Sequence, residues 1–315
     1  MTEIQVAALA GGVGGAKLVD GLARELPPED LTVIVNTGDD FQHFGLHISP
    51  DLDTVCYTLA GLANPETGWG RKEESWTCRD ELRRLEAPDW FQLGDRDLAA
   101  HLERTRRLLG GSSLSEVTRD FCRSWGIGPR VLPMSDDPVP TQVITESGVL
   151  PFQEYFVRER CQPAVKGFEF SGSESALPAP GVSASLREAD LVILCPSNPW
   201  VSIDPILAIG SLREILAQVP VIAVTPIISG ETLKGPAAKM YREMGIEPSA
   251  LAVARHYQGL LSGFVLDSRD RELEEPVRDL DPGGLDVLVT DTWMKDDGDR
   301  VQLARETLAF GRTLL

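Results

Sequence analysis

The segment Ala8-Leu9-Ala10-Gly11-Gly12-Val13-Gly14-Gly15-Ala16-Lys17 sets a glycine-rich turn behind an apolar run and a lysine just after it. Glycine lets the backbone approach phosphate oxygens closely, and a helix opening from such a turn aims free N–H groups and the positive end of its dipole at an anion. The chemistry suggested is the binding of a nucleotide diphosphate, with Gly11, Gly12, Gly14, Gly15 and Lys17 as contacts. The spacing departs from both standard phosphate signatures. A dinucleotide fingerprint from Gly12 wants Gly or Ala where Lys17 stands, and a Walker A box wants Gly at Ala16 and Ser or Thr at Leu18. A tight structural turn is the competing reading.

Two acidic clusters follow, Asn36-Thr37-Gly38-Asp39-Asp40 and Ser49-Pro50-Asp51-Leu52-Asp53-Thr54. Closely spaced carboxylates are what Mg²⁺ uses to hold a diphosphate, so Asp39, Asp40 and Asp53 are candidate metal ligands, with Asn36 beside the nucleotide. The plainer alternative is a solvated loop in which Asp51 or Asp53 caps a helix. Three more polar segments stand out: Leu93-Gly94-Asp95-Arg96-Asp97, Leu132-Pro133-Met134-Ser135-Asp136-Asp137-Pro138 and Pro196-Ser197-Asn198-Pro199. Ser197 and Asn198 follow a predicted strand and should face the same crevice as the glycine turn. Lys234 and Lys239, in Lys234-Gly235-Pro236-Ala237-Ala238-Lys239, offer a second anion contact.

A net charge of −18 makes duplex nucleic acid and anionic membranes poor partners, and obliges any phosphate ligand to find local help from amides, lysine or a divalent cation. The 5 cysteines are scattered and never form C-x-x-C, which reads as reduced, mostly buried thiols; the 4 histidines make no zinc pattern. The amino terminus lacks a basic leader, and no apolar run is long enough to span a bilayer. A cytoplasmic location is expected.

Short apolar runs over residues 4–10, 31–36, 191–195, 221–225, 263–267 and 285–289 have the look of buried parallel strands. They alternate with helix patterns over 16–25, 211–217, 236–244 and 299–315. This predicts an α/β, doubly wound, Rossmann-like and mostly parallel sheet with ligands at the carboxyl ends of its strands. The expected core is 1–52 and 186–315. Residues 53–185 form an insertion, mainly helical from 53 to 125, with a hairpin turning at Glu146-Ser147-Gly148 and an irregular connector over 171–185. In the helix predicted over 114–125, Ser112 or Ser113 caps, and Gly126 stops the chain.

Taken in order, the glycine turn, both acidic clusters and the three polar segments resemble the 2-phospho-L-lactate transferase family of coenzyme F420 biosynthesis over nearly the whole chain. The resemblance implies a Mg²⁺-dependent transfer of a phosphorylated three-carbon acid from its guanosine diphosphate conjugate to the ribityl hydroxyl of the deazaflavin Fo, releasing GMP. It implies Fo binding at Asp53 and Gln92; with it we expect Asp95 and Arg96 alongside, a catalytic role for Asp53, and, from their places after predicted strands, donor contacts at Ser197, Asn198 and Lys239. Gln92 departs from the basic residue of some relatives. The donor acid stays open among phosphoenolpyruvyl, phospholactyl and phosphoglyceryl, tilting to the first for a bacterial chain, and a homodimer is one assembly it allows. Two other readings compete: a non-catalytic nucleotide-sugar-binding regulator like the related gluconeogenesis factors, and an NAD-dependent oxidoreductase, which Lys17 disfavours.

Overall fold

Five consecutive apolar residues with no polar face need cover on both sides, and in the computed structural model Val6–Ala10 is an inner strand, β1, buried throughout. The structure describes residues 4–315; Met1, Thr2 and Glu3, which open the expected core segment and the leader reading, lie outside the described residues. The sheet continues with β2 (Leu31–Val35), β3 (Arg130–Pro133), β4 (Leu191–Leu194), β5 (Val221–Val224), β6 (Gly263–Asp267) and β7 (Asp286–Thr290). All its pairings are parallel, and the spatial order is β3-β2-β1-β4-β5-β6-β7. The order reverses between β1 and β4. In sheets of this class ligands bind at the carboxyl ends of the strands beside such a reversal.

Helix α1 (Gly12–Glu25) packs its buried stripe, including Ala16, Leu18, Val19 and Leu22, against α2 (Pro50–Leu59) and the closing helix Asp297–Arg312. Gly21 makes the latter contact close, because a Cβ there would run into the carbonyl of Arg300. The insertion adds α3 (Thr77–Arg84), α4 (Asp95–Leu109) and α5 (Leu114–Ser124). Ser113 is the cap of α5, accepting from Glu116 N at 3.2 Å while the Glu116 carboxylate accepts from Ser113 N at 3.0 Å. Thr141–Thr145, Gly148–Pro151 and Val165–Phe170 form a separate antiparallel sheet, with Thr145 opposite Gly148 at the expected turn.

Four features differ from the sequence expectation. Helix α1 starts at Gly12, so part of the glycine turn is already its first turn. Strand β3 comes from inside the segment assigned to the insertion; its four residues end in Pro133, which is tolerated because β3 is an edge strand. A hairpin, Phe41–His43 against Leu46–Ile48, separates the two acidic clusters. The connector over 171–185 ends in a helix, Val182–Glu188. All five cysteines are free, and Cys56 and Cys122 face each other with sulfurs 3.8 Å apart. Among the described residues no helix is long and apolar enough to cross a membrane.

Candidate active site

The glycine turn sits at the carboxyl end of β1, against the chain leaving β4. Gly11 N donates to Ser197 Oγ at 3.1 Å, and the same hydroxyl donates back to Gly11 O at 2.8 Å. Gly12 N donates to Asp51 Oδ1 at 2.7 Å. Three glycines are there for close packing: a Cβ would overlap Asp51 at Gly11, the Pro196 carbonyl at Gly14, and Ser197 Oγ at 2.5 Å at Gly15. Gly12 alone has the positive φ, +64°. Among the described residues no side-chain or loop acceptor meets the N–H groups of Val13, Gly14 or Gly15. The turn thus keeps free amides at a helix amino terminus, the arrangement that takes an anion.

Beside it lies a buried acidic cluster. Asn36 holds the second oxygen of Asp51 at 2.8 Å and the Val201 carbonyl at 3.1 Å, so it braces Asp51 and faces inward. Asp39 accepts from Gln153 Nε2 at 3.2 Å, and Asp40 accepts from Ser49 Oγ at 2.8 Å and meets His47 Nε2 at 2.9 Å. Each keeps one buried oxygen, Asp39 Oδ1 and Asp40 Oδ1, with no partner. Burial, and then the charges of Asp51 and Asp40, push the Asp39 carboxyl well above the usual carboxylate range. Burial likewise raises Asp40 and pushes Asp51 up to about 6. Unpartnered carboxylate oxygens in a dry, mutually repelling group are what a hard divalent cation would neutralise.

Two residues further along α2, Asp53 faces a different space. It walls a small cavity of about 50 Å³ with Pro50, Tyr57, Trp69, Phe91, Gln92, Asp97 and His101, whose rings give it a largely apolar lining. Phe91 is backed by Phe41, edge-on at 4.7 Å. Both oxygens of Asp53 are taken by Arg104, through Nη1 at 3.1 Å and through a second bond from Nη2. Arg104 Nη1 also lies 3.2 Å from His101 Nδ1; because arginine only donates, Nδ1 accepts and the imidazole proton sits on Nε2, facing Asp97 Oδ1 at 3.3 Å. Asp97 Oδ1 also accepts from the Tyr57 hydroxyl at 2.7 Å. Burial raises the Asp97 carboxyl, but the bonds from His101 and Tyr57 outweigh it and hold it below the usual range. Asp53, Asp97 and His101 lie close enough to share a metal ion. Arg104 already supplies the cation there.

The other predicted residues divide plainly. Ser197 is in the turn, and Gln92 is in the cavity. Asn198 turns away, its Oδ1 accepting from Trp200 N at 3.1 Å and its amide meeting Met240 Sδ at 3.3 Å. Lys17 donates to the Met294 carbonyl at 2.6 Å; burial, then the charges of Arg300 and Lys234, lower its pKa. Lys239 is paired with Glu243 and lies over the Tyr155 ring. Asp95 holds Ser75, Thr77 and Cys78 at 2.6 to 3.0 Å, and Arg96 pairs with Glu73 at 3.1 Å, so these two fasten the chain before α3. Asp97 is the member of that motif that reaches the cavity.

Sequence reasoning missed Asp51 as more than a cap, and did not assign Tyr57, Asp97, His101 or Arg104. A signal was present: Asp97, His101 and Arg104 recur at i, i+4 and i+7 along α4, a polar stripe on a face that is otherwise where a helix packs. A hollow of about 500 Å³, with Gln5, Thr32, Arg130 and Glu188 on its walls, lies at the amino ends of β1 to β3. Parallel sheets of this class bind ligands at the opposite, carboxyl end, where the glycine turn and the acidic cluster are.

The strand order and the turn at its switch point make this a Rossmann-type α/β protein. Residues 6–291 match the family model described as 2-phospho-L-lactate transferase CofD, and the chain belongs to that family of transferases. It is 43% identical over 313 residues to a phosphoenolpyruvate transferase of Streptomyces griseus, covering 97% of this chain and 98% of that one. It is 41% identical over 317 residues to a 2-phospho-L-lactate transferase of Methanopyrus kandleri, covering 99% of each. A solved structure of a Bacillus halodurans protein superposes with a TM-score of 0.62 at 15% identity, over 98% of this chain and 100% of that one, and shares the fold. The family match does not favour the regulator reading.

Proposed function

We propose that the chain moves a phosphorylated three-carbon acid, phosphoenolpyruvate as in the name of the Streptomyces relative, from its guanosine diphosphate conjugate to the ribityl hydroxyl of Fo, with release of GMP. The observation that carries this is the first turn of α2, which sends Asp51 to the glycine turn and Asp53 into the aromatic cavity. One short helix therefore forms the shared wall of an anion site and of an aromatic-lined cavity, which at about 50 Å³ must widen to admit a three-ring acceptor.

In this reading the free amides of Val13, Gly14 and Gly15 receive the donor's diphosphate, and the cavity bounded by Trp69, Phe91 and Gln92 receives Fo. Asp39 and Asp40, with their unpartnered oxygens, would hold Mg²⁺; Asp53, gripped by Arg104, is the acceptor-side carboxylate. The bound cation would neutralise the phosphate charges that the acidic cluster otherwise repels. The acceptor hydroxyl attacks the phosphorus bearing the three-carbon acid, a P–O bond forms as the bond to the GMP phosphate oxygen breaks, GMP leaves with the electron pair of that bond, and the hydroxyl proton passes to water. Phosphoryl-type transfer rests mostly on positioning and charge neutralisation. Asp53, fixed by Arg104, accepts a hydrogen bond from the hydroxyl and aims it. Purified protein given Mg²⁺, Fo and the guanylylated donor should release GMP in step with a phosphodiester product, followed by liquid chromatography and mass spectrometry. Absence of both products overturns the reading.

A further inference from the structure

Lys234 lies in the loop that follows β5 and a small hairpin, Ile227–Ile228 with Glu231–Thr232. Its exposed ammonium donates to the Thr67 carbonyl at 2.6 Å, across from a segment of the insertion remote in sequence. Among the described residues no carboxylate pairs with it, whereas Lys239, five positions on, is neutralised by Glu243. The junction sits on the glycine turn. A Cβ at Gly68, whose φ is +79°, would lie 2.7 Å from a methyl of Val13 and 3.1 Å from the Lys234 nitrogen. Val13 is the second residue of α1, so the lysine, the 62–72 segment and the free amides meet at one place.

That segment is closed on itself. Gly68 N donates to Asn64 O at 2.9 Å, Asn64 N to Gly70 O at 3.0 Å and Lys72 N to Leu62 O at 2.8 Å. These bonds tie it together, so the position of Thr67 is coupled to that of Trp69 and Gly70 in the wall of the aromatic cavity. An ammonium has three donors, of which Thr67 takes one.

We propose that Lys234 couples the two half-sites: with a nucleoside diphosphate at the amino terminus of α1, its ammonium bridges a phosphate oxygen and the Thr67 carbonyl, fixing the Trp69 wall for the planar acceptor. This rests on the functional reading above and adds to it that the ligands bind with positive cooperativity. Linkage requires the effect to be reciprocal, and couplings of this kind are on the order of 5-fold or more.

The test is calorimetric titration of Fo in Mg²⁺, with and without saturating GDP, and of GDP with and without Fo. Wild type should show each ligand tightening the other by the same factor, about 5-fold or more. Lys234→Met should bring that ratio to one and weaken GDP, and Lys234→Arg should restore much of it; a loss of stability without a change in ratio would mark a structural role only. Wild type binding both ligands, with the ratio unchanged in Lys234→Met, overturns the inference alone. Wild type binding neither overturns the functional reading and the inference together.

Discussion

Arg104 closes on both carboxylate oxygens of Asp53 at a place where neither side chain meets bulk water. Removing one partner of such a pair leaves the other charge buried and alone, which costs about 3–5 kcal/mol. Arg104→Met should therefore lower the urea midpoint sharply. Asp53→Asn leaves the buried Arg104 guanidinium, which cannot shed its proton, without its counter-charge, so its stability cost should be of the same order, while product formation in the folded variant falls about tenfold or more because the acceptor hydroxyl loses its charged partner. Turnover retained in folded Asp53→Asn would remove Asp53 from the chemistry.

Asp39 presents the reverse case, a carboxylate whose surroundings disfavour its charge. Asp39→Asn keeps an acceptor for Gln153 and removes a buried repulsion, so the ligand-free protein should melt higher, by about 2–4 °C for each 1 kcal/mol gained. The same variant should lose the stabilisation that Mg²⁺ gives the wild type. A lower melting temperature with the Mg²⁺ response intact would contradict both halves of this expectation.

Asp51 gives the pH dependence. Burial pushes its carboxyl up to about 6 in the fold, against about 4 in an unfolded chain. The native state thus binds more protons across that window, so Asp51 contributes stability below about pH 4 that is lost as pH rises through about 6. Urea titrations in a chelator from pH 4 to 7 should show wild type losing ground to Asp51→Asn over this range. A constant difference between the two would place the carboxyl at its ordinary value.

Gly14→Ala tests the turn. Its Cβ would be driven into the Pro196 carbonyl, a backbone atom that cannot swing aside, so α1 must shift relative to the chain leaving β4. The expected costs are about 1–3 kcal/mol in stability and a loss of GDP affinity of an order of magnitude or more. Gly45→Ala, at a positive φ that Gly14 does not have and with open space around it, should cost stability through backbone strain without the loss of affinity.

Most of the sheet was legible because β1, β2, β4, β5 and β6 are largely apolar runs buried on both faces, and β7, a partly buried edge strand, still carries a short apolar run. Strand β3 was not, since Arg130-Val131-Leu132-Pro133 carries too few apolar residues to announce itself and pairs only with β2. The anion end of the site was legible in its glycines, although most of them serve packing against Asp51, Pro196 and Ser197 rather than ligand approach. The cavity end was half legible: Asp53 and Gln92 came with the resemblance, while Arg104 and Tyr57 are defined only by what a folded α4 and α2 bring together. Lys17 and Asn198 show the limit of position as a guide, for both sit next to the crevice in sequence and spend their polar atoms elsewhere.

Val6 pairs with Leu191, so the two strands that open the crevice are among the most widely separated partners in the chain. During synthesis, Gly11 to Gly15 leave the ribosome long before Ser197 and Pro196 exist to order them. The nascent amino-terminal half cannot hold a nucleotide, and its apolar β1 edge stays open until β4 arrives. Refolding should accordingly be slow, because pairing β1 with β4 closes a long loop, and ligands that bridge the two strands should act on that step.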